Sequence, residues 1–385
     1  MHILHISNSY GGTKVYENLY TQLDELGVRQ TVFVPLNAAN RSRVGNQMIE
    51  FKTAGSKIIY STVLKPIHRI LYMAKINAIV KDLKQSVDLK SVDAIHASTL
   101  CLDGAVAYIL HQELGIPYIT AIRNTDINNY YKVFVWRRGF FGKILTAAKK
   151  IVFISPKYKE NFLGEIIPTS LGNEVEDRVQ VIPNGVDEVF LANKSKEHKT
   201  LGGVLNLIFV AAFYRGKGLL ETIQAIESLR NKGYDITLNA IGKGLPNRPH
   251  DKEYEEQVEE LANGKKWIKT QTFKKPEEII AEMRQANSFV MVSKPETFGL
   301  VYVEALSQHL PIIYAKGQGF DGFYPDGYVG YPAEAGNSED IANKIELLIK
   351  NYAAIERNVE ALDLYIDFSW SNIAKKYLSI YNTLK

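Results

Sequence analysis

Two α/β domains, each a doubly wound parallel sheet, are what this sequence predicts, and three observations predict them. Short apolar runs alternate with amphipathic helical patterns through both halves of the chain. The 385 residues exceed the size at which one hydrophobic core stops growing. A polar, lysine-rich stretch from Asn193 to Gly203 interrupts the alternation near the middle.

In the first half the strand candidates are Ile3 to Ile6, Gln30 to Val34, Ala94 to Ala97, Tyr118 to Ile122, Ile151 to Ile154 and Val179 to Ile182. Helical patterns lie between them, at Val15 to Leu26, Ile67 to Leu83 and Gly104 to Leu114. After the linker the strands fall near Leu207 to Ala211, Ile236 to Ile241, Phe289 to Val292 and Pro311 to Tyr314. Helices are expected after Lys217, Asp251, Pro276, Gly299 and Ser338. The chain closes on Phe368-Ser369-Trp370, a Ser cap candidate followed by apolar residues at helical spacing as far as Tyr381. Strand followed by helix, repeated, makes a parallel sheet that binds ligands beyond the carboxyl ends of its strands, so the expected active site is the cleft between the two sheets.

Composition narrows the class. Apolar residues make up 46% and charged residues 23%, which suits a globular chain rather than a disordered one. The single cysteine, Cys101, has no partner for an internal disulfide, which fits a reducing compartment. Met1 to Ser7 enters a strand pattern without the basic and long apolar regions of a signal peptide, and no apolar run is long enough for a bilayer. The expected location is cytoplasmic. Residues 1 to 185 carry 22 Lys+Arg against 15 Asp+Glu, and residues 186 to 385 carry 24 against 27. The basic excess lies mainly between Phe51 and Lys150, with 15 basic and 6 acidic residues, and points to an anionic surface or acceptor. Within it, Tyr130 to Lys143 interleaves aromatic and basic residues; it reads either as a contact with an anionic bilayer or as an aromatic core stripe with solvated lysines. No nucleic-acid reading module accompanies the charge, so nucleic acid is not an expected partner.

Chemistry concentrates in Ser293-Lys294-Pro295-Glu296-Thr297-Phe298-Gly299-Leu300-Val301-Tyr302-Val303-Glu304, directly after an apolar strand. Pro295 and Gly299 mark a strand-to-helix turn, and the free N–H groups of a helix beginning at Thr297 to Leu300 form a site for phosphate. Glu296 would stand beside that anion and Glu304 about two turns along. Two carboxylates there suit hydroxyl groups on either side of a phosphate, as a sugar and a ribose present them; in isolation they read equally as a cap and a solvated helix face. A second turn, Phe213-Tyr214-Arg215-Gly216-Lys217-Gly218, offers cations where charge gathers on a leaving diphosphate. Gly11-Gly12, after the first strand, allows close approach of backbone to a ligand or simply makes a turn. The absence of G-x-G-x-x-G after that strand argues against a dehydrogenase.

Glu296 and Glu304 form an E-x7-E motif that resembles that of the retaining family-4 glycosyltransferases with the GT-B fold. That resemblance implies two facing Rossmann-like domains, an acceptor domain over 1–185 and a donor domain over 186–367, with a helix over 368–385 returning to the first. It extends over nearly the whole chain. Gly11-Gly12 is similar to the family's phosphate-approach loop, Val181-Ile182-Pro183-Asn184-Gly185-Val186-Asp187 to its interdomain segment, Gly242-Lys243-Gly244 to its Gly-x-Gly turn, and Phe368-Ser369-Trp370 to the start of its last helix. It implies that Glu296 contacts the donor sugar, Glu304 the ribose and Lys217 the diphosphate, with Gly11, Gly12, Gly242, Gly244, Thr297, Phe298, Gly299 and Leu300 also at the donor. The family's usual arginine falls at Ala211 or Ala212, which leaves Arg215 as its replacement. In Ile122-Arg123-Asn124-Thr125-Asp126 the sequence keeps the family's Asp and has Arg123 in place of its His. A histidine base is therefore not expected, and a retaining enzyme of this fold needs none. Asp126 would orient hydroxyls or cap a helix, and His96 reads as a core residue. The loop Tyr314 to Gly322 replaces the usual Gly-Gly-x-x-Glu and should lie near the donor.

The implied reaction moves a sugar from a nucleotide-diphosphate donor, UDP-linked above all, to a glycan or lipid-linked acceptor in polysaccharide or glycolipid assembly. It requires no cofactor and no metal, since no Asp-x-Asp occurs in the chain. A nucleotide-sugar epimerase of similar fold and a non-catalytic nucleotide-sugar-binding or membrane scaffold remain open on the same residues.

Overall fold

The structure, a computed structural model, describes residues 1–45, 47–244 and 251–384. It divides into two compact units. The first holds Met1–Ile154, Lys159–Gly185 and the closing segment from Trp370; the second holds Ser155–Tyr158 and Val186–Ser369.

In the first unit seven strands, β1 His2–Ile6, β2 Arg29–Pro35, β3 Lys57–Ser61, β4 Ala94–Ala97, β5 Tyr118–Ile122, β6 Lys150–Phe153 and β7 Val179–Val181, pair in the order β3-β2-β1-β4-β5-β6-β7. In the second unit β8 Val204–Val210, β9 Asp235–Lys243, β10 Ile268–Thr272, β11 Ser288–Val290, β12 Ile312–Ala315 and β13 Gly330–Ala333 pair in the order β10-β9-β8-β11-β12-β13. Every neighbouring pair is parallel. Both units are therefore Rossmann-like. In each, the strand order reverses beside the first strand, at β1/β4 and β8/β11, and that is where an open α/β sheet binds ligands.

Three of the strands, β3, β10 and β13, are absent from the sequence expectations, and all three are sheet edges. An edge strand is half solvated and need not be a continuous apolar run. Ile268-Lys269-Thr270-Gln271-Thr272 has a single aliphatic residue, and Gly330-Tyr331-Pro332-Ala333 contains two residues that interrupt an interior strand. The long helical pattern from Ile67 also differs: a short turn at Pro66–Arg69 precedes the helix, which starts at Tyr72. Pro66 fixes the turn, and the apolar period becomes continuous only beyond it.

The closing chain forms a short helix, Leu364–Phe368, and then Trp370–Asn382. The last helix buries Trp370, Ile373, Tyr377, Ile380 and Tyr381 against Tyr16, Leu19, Tyr20 and Leu23 of the helix Lys14–Glu25. A Cβ added to Gly185 would stand 2.4 Å from the Trp370 ring, so the Pro183-Asn184-Gly185 turn lies directly on the indole. Two motifs far apart in sequence thus form one joint. His96 belongs to this core: its Nδ1 is 2.7 Å from the Tyr381 hydroxyl, its ring stacks on Tyr377 at 5.0 Å, and burial lowers its pKa to about 3.

Candidate active site

The site in the second unit grows from the ends of β8 and β11. Beyond β8 the chain makes a short turn at Arg215–Lys217 that closes on Gly218, with φ 75°. A Cβ there would meet the Val292 carbonyl at 2.5 Å, which fixes this position as glycine and seats the turn against the chain leaving β11. Lys294 N–H donates to the Gly216 carbonyl at 2.8 Å and completes the contact.

Beyond β11 the chain passes through Ser293 to Gly299 and enters the helix Leu300–Ser307. Gly299 has φ 80°, and a Cβ there would stand 2.3 Å from the Tyr302 ring. Glycine thus allows the chain to turn into the helix, whose Tyr302 N–H donates to the Gly299 carbonyl at 3.0 Å and whose start carries no side-chain cap at Gly299. Glu296 is held from every side. Its Oε2 accepts from Lys217 Nζ at 2.7 Å and Ser293 Oγ at 3.0 Å, and its Oε1 from Thr297 N–H at 3.1 Å. Its backbone N–H donates to Gln318 Oε1, and its carbonyl accepts from Tyr158 Oη and Gly319 N–H.

Lys217, Glu296, Gly299, Leu300, Val301 and Glu304 line one cavity of about 280 Å³, completed by Ala211, Ala212 and Tyr214 among others. Glu304 is one helical turn from Leu300 on the cavity side. Burial, with a smaller effect from the Asp187 carboxylate, pushes its pKa up to about 7. Its carboxylate makes no hydrogen bond among the described residues, so it can accept two from a ligand. The cavity therefore brings together the Lys217–Glu296 ion pair, a half-buried acid with no hydrogen-bond donor among the described residues, and the start of the helix Leu300–Ser307.

Several expected site residues lie elsewhere. Arg215 is 59% exposed and turns outward to Asp251 at 3.3 Å and Glu253 at 3.1 Å, the acidic start of the helix Lys252–Ala262, so it does not replace the missing arginine. Ala211 and Ala212, where the resemblance places that arginine, both line the cavity. The Phe298 side chain is buried against Phe323 and Phe368, and Thr297 contributes its N–H to Glu296. Gly242, with φ 132°, is required because a Cβ would stand 2.0 Å from the Ala211 carbonyl; Gly244 donates its N–H to Glu255. Both shape the turn rather than line the cavity.

In the first unit, Gly11-Gly12 forms a short turn after β1. Side chains there would crowd Arg43, 3.1 Å from its Cβ at Gly11 and 3.0 Å from its Nη1 at Gly12, so the glycines open room for a guanidinium that the sequence pattern alone did not single out. Arg123, at the end of β5, donates to the Ser98 carbonyl and Asn184 and lies 5.8 Å from the Tyr16 ring. Asp126 is 1% exposed, and its two oxygens accept from Cys101 N–H at 2.8 Å and Arg123 N–H at 2.9 Å. Reaching back three residues to Arg123, it caps the helical turn and is not free to orient hydroxyls. Desolvation raises its pKa.

Among the described residues, one group of three close metal-ligand types occurs, His198, Glu356 and Glu360, with His198 Nδ1 2.9 and 3.4 Å from the two carboxylates. None of them lines the Lys217–Glu304 cavity.

The chain is similar to known proteins over both of its units. The family model "Glycosyltransferase Family 4" matches residues 10–190, and "Glycosyl transferases group 1" matches residues 192–361. An uncharacterized glycosyltransferase of Methanocaldococcus jannaschii is 30% identical over 291 residues, 75% of this chain and 73% of that one. The alpha-monoglucosyldiacylglycerol synthase of Acholeplasma laidlawii is 24% identical over 367 residues, 90% of this chain and 84% of that one. Among solved structures, Anabaena HepE in complex with UDP superposes with a TM-score of 0.70 at 18% identity, covering 100% of both chains. HepE has also been solved with UDP-glucose (TM-score 0.64, 17% identity, 100% of both chains).

Proposed function

The chain is a family-4 glycosyltransferase of the GT-B fold, and from that premise we propose that it transfers a sugar, with retention and without a metal, from a UDP-sugar held by the second unit to a glycan or lipid-linked acceptor held by the first. The observation that carries the reading is the single cavity lined by Lys217, Glu296, Glu304 and the start of the helix Leu300–Ser307. The names of the relatives support it: one makes a glucosyl lipid, and HepE has been solved with UDP and UDP-glucose. The enzyme works at the cytoplasmic face of a membrane, in glycolipid or polysaccharide assembly.

The donor diphosphate lies at the helix start, where the first-turn N–H groups and the helix dipole favour its charge. Lys217 turns from Glu296 to the phosphate nearer the sugar and meets the negative charge that grows as the bond to the anomeric carbon breaks. Glu296, released, accepts hydrogen bonds from the sugar hydroxyls, and Glu304 accepts them from the ribose. The acceptor oxygen bonds to the anomeric carbon on the face from which the phosphate leaves. Its proton passes to the departing phosphate oxygen, so the route needs no protein base and the anomeric configuration is kept. In the cavity Lys217 does charge work that a metal ion does elsewhere.

A thermal-shift screen of nucleotide diphosphates and their sugars tests the donor. Ligand binding to the native state raises the melting point by mass action, and UDP and one UDP-sugar should raise it most. A larger rise with a guanine or adenine nucleotide would reject the uridine assignment. Proton NMR of the product reads the anomeric configuration; an inverted product would reject the same-face route.

A further inference from the structure

Two segments distant in sequence, residues 65–72 and 130–143, meet in the first unit. Tyr72 packs against Phe134, with ring centroids 6.4 Å apart, Phe134 against Trp136 at 5.5 Å, and the Arg137 guanidinium lies 4.5 Å from the Tyr72 ring. These buried and half-buried rings are a base from which large apolar side chains project into solvent. Ile70 is 79% exposed and Trp136 73%, with Ile67, Leu71, Val133 and Val135 each about half exposed. Neither segment contains an aspartate or glutamate, while Lys65, Arg69, Lys132 and Lys143 are exposed on them. Isolated exposed apolar residues are ordinary, but six in two touching segments with cations of one sign are not. The aromatic stripe of the second segment is thus only partly core: Phe134 anchors it and Trp136 points out.

We propose that this face docks on an anionic lipid surface, with Ile70 and Trp136 entering the headgroup boundary and Lys65, Arg69, Lys132 and Lys143 meeting the lipid charges. Indole and isoleucine at the tip supply apolar insertion, and Trp suits the interface because its ring is apolar and its N–H polar. The lysines and the arginine supply attraction that falls off within a Debye length of the surface. Among the described residues no helix is long and apolar enough to cross a membrane, so docking here is a surface contact. The inference deepens the membrane placement proposed above but uses no residue of the Lys217–Glu304 cavity.

The test uses the full chain with vesicles of phosphatidylcholine alone and with about a third phosphatidylserine or phosphatidylglycerol. Cosedimentation should occur with the anionic vesicles and weaken in high salt, and brominated lipid should quench Trp136 fluorescence, a signal absent from Trp136→Phe. Replacing Lys65, Arg69, Lys132 and Lys143 by Gln should lower partitioning by at least about 100-fold, from a contribution near 1 kcal/mol per charge. Ile70→Ser with Trp136→Ser should abolish the salt-resistant remainder. UDP binding and melting are measured on each variant, so that a failed fold or a failed donor site is told apart from failed docking. Equal partitioning onto neutral and anionic vesicles, or no loss in the Gln variant, overturns the proposal. So does a chain that ignores vesicles and instead dimerises through Ile70 and Trp136.

Discussion

Lys217 Nζ lies 2.7 Å from Glu296 Oε2, with only 15% and 13% of the two side chains exposed, so the cation in the cavity is paired with a carboxylate of the same site. A partly desolvated pair of this kind is held by geometry and by the further hydrogen bonds to Glu296 from Ser293 and Thr297. On the proposed donor site, a diphosphate entering the cavity would compete with Glu296 for Lys217.

That competition separates the two residues in an experiment. Glu296→Gln removes the rival charge, so UDP should bind the variant at least as tightly as it binds wild type, while sugar transfer falls and discrimination among donor sugars weakens. Lys217→Ala should lower kcat by about 100 to 1,000-fold, the usual effect of losing one electrostatic contact to a leaving group. Calorimetric titration with UDP and initial-rate kinetics read the two effects. Weaker UDP binding by Glu296→Gln would mean that the pair is no rival to the diphosphate.

Glu304 carries a pH dependence. Its pKa of about 7 means that it is partly protonated near neutrality, and the ionised form would accept hydrogen bonds from the proposed ribose hydroxyls more strongly than the acid, which gives up part of its acceptor capacity to its own proton. Affinity for a UDP-sugar, whose diphosphate diester does not titrate in this range, should therefore rise as pH rises through about 7 and then level off. Glu304→Gln should bind weakly with a flat profile. The stability of the empty protein has the opposite sign: a carboxyl raised from 4.5 to about 7 makes the fold less stable as pH rises through that window. Titrations from pH 5.5 to 8.5 and melts over pH 4 to 8 check both.

Backbone geometry gives a stability prediction. Gly299→Ala combines φ 80° with a Cβ 2.3 Å from the Tyr302 ring, and Gly319→Ala would drive a Cβ to 2.2 Å from the Thr297 carbonyl. Each should cost about 1 to 3 kcal/mol or more and lower the melting point by several degrees. Gly244→Ala, also at positive φ (67°) but with no atom within 4 Å of its Cβ, should lose less. A melting point for Gly299→Ala equal to that of wild type would show that the turn relaxes freely.

If Lys217 and the helix start meet the diphosphate as proposed, transfer should persist in the presence of a strong chelator, with an unchanged rate on adding Mg²⁺ or Mn²⁺. Loss of activity with chelator and its return with metal would reject this. The group of His198, Glu356 and Glu360 serves as an internal check: His198→Ala should leave the rate unaltered.

Much of this fold was legible because both sheets are parallel and their central strands, buried on both faces, read as apolar runs between helical patterns. The edge strands β3, β10 and β13 escaped, since solvation, Gly330 and Pro332 remove the signal. Glu296, Glu304, Lys217, Gly299 and Leu300 share a cavity because one strand-to-helix turn and one neighbouring turn carry them all. Arg215 and Asp126 illustrate what spacing does not encode. Each has the right residue type at a strand end, but acidic residues 36 and 38 positions later draw Arg215 outward. Asp126, by contrast, is spent on backbone N–H groups. Arg43 went unnoticed because nothing local marks it; only the folded chain places it on Gly11-Gly12.

The most direct measurement of the site is the UDP affinity of four proteins side by side: wild type, Lys217→Ala, Glu304→Gln and Arg215→Gln, each first shown to melt as a folded protein. Loss of a hydrogen bond or ion pair to a charged group costs about 1.5 to 3 kcal/mol, so Lys217→Ala and Glu304→Gln should each bind about 10 to 150-fold more weakly. Arg215→Gln, whose guanidinium faces Asp251 and Glu253, should bind as wild type does. Unchanged affinity in Lys217→Ala and Glu304→Gln, or a loss in Arg215→Gln as large as theirs, would contradict the assignment of this cavity as the donor site.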